Sequence, residues 1–190
     1  MTTEAVTRRE QLLATAAELF AARGFHGVSV AEIGAACGIS GPALYKHFPS
    51  KDAILAEMLV AISEELLGVG RERVAAASDA GSALCALVDW HVDFALRRRS
   101  LIVVQDRDWE SLTPAARERV RALQREYVDV WAGELRREHR GLRTARARAM
   151  AHAAFGLINS TPHSVLLPEP QMRELLTRMA VDALGLRRPG

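Results

Sequence analysis

The chain has 190 residues, 49% of them hydrophobic and 25% charged, with a net charge of +2. That composition supports a sizeable packed core and excludes a disordered polypeptide or a scaffold stapled by its two cysteines, Cys37 and Cys85. No apolar run is long enough to span a bilayer and the opening MTTEAVTRRE carries no signal-peptide core, so a cytoplasmic protein without a membrane partner is expected.

The elements follow in order. Thr7 and Glu10 form a T-x-x-E capping box, which predicts a helix to about Arg23 with Leu12, Leu13, Ala16, Leu19 and Phe20 buried and Gly24 as its stop. Ser29 and Glu32 repeat the box and open a second helix, in which Val30, Ile33 and Cys37 share a face. Gly38 suits a left-handed helix end, and Ser40 is a new N-cap, with Gly41 and Pro42 in the first turn after it. Leu44 and Phe48 can pack this third helix inward, leaving Ala43, Lys46 and His47 facing away. Pro49 stops it and Ser50 caps the next. Two short helices joined by a tight turn, the second free on one side, make a helix-turn-helix.

A fourth helix is expected from Lys51 past Leu66, with Gly68 and Gly70 as places where it breaks or ends. The segment 78–82 reads as a loop, followed by helices over 83–99 and 101–111. Thr113-Pro114, an N-cap followed by Pro at the first helical position, announces a long helix to about His139. Gly141 separates it from a helix over 143–160. A loop with Pro162, Pro168 and Pro170 follows, then a last helix over 171–186. No segment has strand periodicity, so the fold class is all-α.

The stretch GISGPALYKHFPSKDAIL, preceded by FAARGFHGVSVAEIG, resembles the DNA-binding domain of the TetR/AcrR transcriptional regulators over residues 8–57. Phe20, Gly24, Ile33, Gly38, Leu44, Tyr45, Phe48 and Lys51 carry the resemblance. Many members have Lys-Gly-Thr where this chain has Gly41-Pro42-Ala43, so no operator sequence is borrowed. The resemblance implies a three-helix helix-turn-helix domain over 1–51 and a helical effector-binding and dimerisation domain over 52–190. It also implies that Ser40, Tyr45, His47 and Lys51 meet phosphates, while Pro42, Ala43 and Lys46 are placed toward base edges. Of the 25 basic residues only Lys46 and Lys51 are lysines. Arg8, Arg9, Arg23, Lys46 and Lys51 barely outnumber Glu4, Glu10, Glu18 and Glu32, a weak electrostatic footprint that calls for two copies on double-stranded DNA.

Similar regulators hold a small-molecule effector in the helical body. Trp90, Phe94, Trp109, Tyr127, Trp131 and Phe155 are the aromatic candidates and His91, Gln105 and Asn159 the polar ones; plain core packing is the alternative. Similar regulators also pair their last two helices with a copy, which assigns Met150, Ala153, Ala154 and Leu157, then Met172, Leu175, Leu176, Met179 and Ala183, to a homodimer seam. Arg136, Arg137, Arg140, Arg143, Arg146 and Arg148 crowd one junction, either as a solvated face or as a site for an anionic effector such as an acyl-CoA. Asp89, His91 and Asp93 do not make a metal site, because His91 lies about 200° round the helix from both carboxylates. No cofactor and no catalytic residue is expected, since no nucleophile has an evident base beside it. The resulting expectation is a homodimeric, ligand-responsive regulator, a repressor released by a hydrophobic or acyl-CoA-like effector. The rival is a helical carrier or enzyme that retains a helix-turn-helix.

Overall fold

The computed structural model describes residues 7–164 and 166–186. Among them the chain is all-helical: α1 (Arg8–Arg23), α2 (Val30–Ala36), α3 (Gly41–Tyr45), α4 (Lys51–Ala76), α5 (Ala80–Arg97), α6 (Arg99–Asp108), a 3-10 turn (Trp109–Ser111), α7 (Pro114–Glu138), α8 (Thr144–Ile158), α9 (Thr161–Ser164) and α10 (Glu169–Ala183). No described helix is long and apolar enough to cross a membrane. The chain divides into two compact units. The first holds Met1–Ala61 with Ser100–Val120, and the second Ile62–Arg99 with Arg121–Gly190. A boundary at residue 51 would place residues 100–120 in the second unit instead.

The predicted caps form. Thr7 with Glu10 and Ser29 with Glu32 close reciprocal capping boxes, and Ser40 accepts from the Ala43 amide at 3.3 Å. Gly38 adopts φ +70, the left-handed conformation that lets the chain leave α2 at no Cβ cost. In the first unit Leu12, Ala16, Phe20, Phe25, Ile33, Leu44, Phe48, Ile54 and Leu55 are buried and form the core that orients α2 and α3.

Three expectations change. First, α4 does not stop at Gly68 or Gly70 but continues to Ala76. Gly70 is a contact residue: a methyl on it would lie 2.7 Å from Tyr127 Cε2, so glycine lets α4 lie against α7. Second, the expected loop after 160 holds one helical turn, α9. It is anchored by the buried Thr161 hydroxyl, which donates to Ala95 O at 2.8 Å. Third, α10 begins at Glu169, with Pro170 in its first turn, where the ring removes no hydrogen bond the helix could have made.

In the second unit α10 packs on α5 and α8. Arg173 of α10 donates to Asp93 of α5 at 2.8 Å, and His139 Nε2 donates to Leu184 O at 2.8 Å. The residues expected at the seam divide by their burial in the single chain. Ala154, Met172 and Leu176 are buried in the chain's own core, facing other helices of the same unit. Ala153, Met179 and Ala183 are exposed, and Met150, Leu157 and Leu175 are half-buried.

Candidate functional site

The helix-turn-helix begins with a glycine. A methyl at Gly34 would sit 2.9 Å from Ile39 O, while the Ile39 amide donates to Gly34 O at 2.9 Å, so α2 and the turn touch through bare backbone. Leu44 and Phe48, fully buried, pin α3 to the core. Ser40, Pro42, Tyr45 and Lys46 are thereby left exposed, Tyr45 at 55%, with Ala43 and His47 half-buried. The expected reading residues therefore share the outer side of one short helix.

Two arginines that the sequence reading left unassigned hold this arrangement from α1. Arg8 donates to Cys37 O at the end of α2. Arg9 donates to His47 O at 2.6 Å, pairs with Glu57 and lies over the Phe48 ring at 4.3 Å. Both thus serve the carbonyl-rich ends of α2 and α3, where a cation is favoured. A signal existed: arginines in a first helical turn oppose their own helix dipole, which points to a partner elsewhere. From α6, Arg107 donates to Ala21 O at 3.0 Å and to Phe20 O, while the buried Asp108 accepts from the Phe25 amide at 3.3 Å. These bonds fix the corner between α1 and α2.

Lys51, expected at a phosphate, has partners within the chain. Its ammonium donates to Phe25 O at 2.8 Å and Val28 O at 3.0 Å and stands 4.3 Å above the Phe25 ring. Two of its three donors are committed to the corner that precedes α2. Glu32, exposed, is held down to about 2 by its bonds with the Ser29 hydroxyl and amide and by Arg23.

The second unit gathers the central aromatic candidates. Phe94, Tyr127, Trp131 and Phe155 surround His91, with Tyr127 and Phe155 parallel within 2° at 5.5 Å and Trp131 edge-on to Phe155 at 5.0 Å. His91 Nε2 lies 3.1 Å from Asn159 Oδ1, and Nδ1 lies 3.4 Å from the Tyr127 hydroxyl. Burial pushes the imidazole down to about 4, partly offset by Asn159, and pushes the Tyr127 phenol above its usual range. Gln105 and Trp109 lie in the first unit. Trp90 is not one of the rings around His91; its indole nitrogen, like that of Trp131, is buried without a hydrogen-bond partner.

Asp93 pairs with Arg97 and Arg173, so it is held away from any ligand role with His91. Among the described residues no group of three His, Cys, Asp or Glu is placed to hold a metal ion. Of the arginine group, Arg148 forks onto Asp129 at 2.7 and 3.0 Å and Arg137 onto Glu134 at 2.9 and 3.1 Å. Arg136, Arg140, Arg143 and Arg146 are exposed.

The sequence model of bacterial regulatory proteins of the tetR family matches residues 12–58, and that of the tetracyclin repressor-like C-terminal domain matches residues 77–163. The HTH-type transcriptional repressor KstR2 of Rhodococcus jostii (strain RHA1) is 34% identical over 131 residues, covering 67% of this chain and 63% of that protein. The chain thus spans less than two thirds of that relative's length. A TetR-family regulator from Bordetella parapertussis 12822 superposes with a TM-score of 0.78 at 25% identity, over 95% of this chain and 98% of that one. AibR, crystallised with isovaleryl coenzyme A and operator DNA, shares the fold at a TM-score of 0.69 and 22% identity, over 91% of this chain and 97% of its own.

Proposed function

Because the chain belongs to the TetR family of bacterial regulatory proteins, we propose that it is a DNA-binding transcriptional regulator and not an enzyme. The observation that carries this reading is α3, locked inward by Leu44 and Phe48 and exposing Ser40, Pro42, Tyr45 and Lys46 on its other side. Ser40, Tyr45 and His47 are the phosphate contacts, which set orientation; Pro42, Ala43 and Lys46 face the base edges. Lys51 supports the head from behind and has at most one donor left for a phosphate.

The protein acts as a homodimer on a palindromic operator, with half-sites about one helical turn (~34 Å) or a multiple apart. The seam consists of Met150, Ala153 and Leu157 on α8 with Leu175, Met179 and Ala183 on α10, the apolar residues of those helices left outside the core. It is a repressor released by a hydrophobic or acyl-CoA-like effector bound at the His91 cluster. Support comes from the repressor name of the Rhodococcus relative and the coenzyme A thioester held by AibR. Effector binding shifts a balance between two dimer states, and only by its differential affinity for them.

Selection of fragments from the source genome by the purified protein, followed by footprinting with and without acyl-CoAs, tests this reading. A protected palindrome, lost with one acyl-CoA and weakened by Lys46→Ala, is expected. The regulator reading fails if a folded protein enriches no site at low salt.

A further inference from the structure

The reading helix cannot set its own pose. With five residues α3 is shorter than two turns, so its carbonyls lie almost wholly in a terminal turn that the helix itself leaves unbonded. Leu44 and Phe48 fix its depth in the core, but two apolar anchors do not settle how the chain leaves it. Arg9 of α1 acts at that exit. Its Nη1 donates to His47 O at 2.6 Å while the guanidinium lies 4.3 Å over the Phe48 ring, so one group grips two successive residues. An arginine side chain 45% exposed has many rotamers open to it unless a partner holds it. Glu57, in the second turn of α4, is that partner: its two oxygens take Nε and Nη2 as a fork, each at 2.5 Å.

We propose that Arg9 and Glu57 are positioning residues for operator recognition: Glu57 fixes the Arg9 guanidinium, and Arg9 fixes the exit of α3, where Lys46 and His47 stand. The inference rests on the DNA-binding reading above and adds to it a carboxylate that strengthens binding to a polyanion. The sign of the effect separates this from plain electrostatics. Removing Glu57 makes a chain of net charge +2 more positive, and charge alone then favours tighter binding to phosphates. Positioning demands the reverse, because a freed guanidinium lets go of the His47 carbonyl. Salt screens the Coulomb gain beyond about 8 Å at physiological strength, whereas it does not screen a misplaced helix.

The test measures affinity of the full chain for a genomic fragment that the parent protein protects, across a salt series and well below each variant's melting midpoint. Glu57→Ala should weaken binding about fivefold and Arg9→Ala about tenfold, both with an unchanged salt slope. The double variant should be no weaker than Arg9→Ala, since Glu57 acts only through the guanidinium. Arg9→Lys should not restore affinity, because an ammonium cannot fork onto Glu57 and also reach His47 O. The carbonyl carbon signal of His47 should move upfield in both alanine variants. A merely structural ion pair would lower the melting midpoint and leave affinity below it unchanged. The proposal is overturned by Glu57→Ala binding as tightly as the parent or more so, by additive losses in the double variant, or by an unmoved His47 signal. A salt slope reduced by about one in Arg9→Ala also overturns it and makes Arg9 a phosphate contact. If Arg9→Ala does not fold, Glu57→Ala and Glu57→Gln decide, glutamine recovering part of the affinity through its one acceptor. A parent chain that selects no fragment ends the regulator reading and this proposal with it; a parent that binds while Glu57→Ala binds equally ends this proposal alone.

Discussion

Lys51 commits two N–H groups to the Phe25 and Val28 carbonyls, so Lys51→Met should lower the stability of the first unit by about 1–3 kcal/mol in a denaturant melt. Lys46 is exposed, and Lys46→Ala should leave the melt within about 0.5 kcal/mol while weakening operator binding. The opposite pattern, with Lys51 governing the salt slope and not the melt, would restore the phosphate role for Lys51. His91 gives a pH signature. Its folded imidazole titrates near 4 against 6.5 when unfolded, so the unfolded chain binds a proton first as pH falls. Stability should therefore be full above pH 6.5 and decline toward pH 4, by about 3 kcal/mol in all. His91→Gln should flatten that decline relative to the parent; an unchanged slope would mean that the imidazole is not held neutral by burial. The type of each of these residues was legible from sequence, but its duty was not, because a hydrogen-bond partner dozens of residues away leaves no local pattern.

At the scale of elements, caps and periodicity carried most of the reading. Thr7–Glu10, Ser29–Glu32, Ser40 and Gly38 act within four residues, so local chemistry settles them before any tertiary contact exists. Gly70 shows where that reasoning stops. By propensity a glycine weakens a helix, but α4 runs through it because Tyr127 needs the space that a side chain would fill. Gly70→Ala should improve local helix propensity and still destabilise the protein by about 1–3 kcal/mol, measured as a lower melting midpoint. A rise in the midpoint would show that Tyr127 can yield. The Arg8 and Arg9 bonds belong to this scale too, since they connect α1 to the ends of α2 and α3.

For the whole molecule, α8 illustrates what periodicity leaves open. Ala147, Ala151, Ala154 and Ile158 turn into the core, while Met150, Ala153 and Leu157 lie on the flank, about 100° round the same helix. Met179, 45% exposed on α10, extends that outer apolar set. Ala153→Glu with Met179→Glu should yield a monomer by light scattering, with weaker operator binding and little change in the monomer's own fold. A persistent dimer would move the seam elsewhere.

From sequence alone came the all-α class, the succession of helices, the helix-turn-helix with its inward Leu44 and Phe48, and the family resemblance that the matches over 12–58 and 77–163 bear out. Each of these depends on interactions a few residues apart or on spacing that backbone geometry enforces. Tertiary structure alone decided that Lys51 donates to the Phe25 and Val28 carbonyls, that Gly70 carries a contact, and which residues of α8 and α10 stay outside. Those outcomes turn on which surfaces meet, and an amphipathic helix with two apolar faces does not encode that in its period.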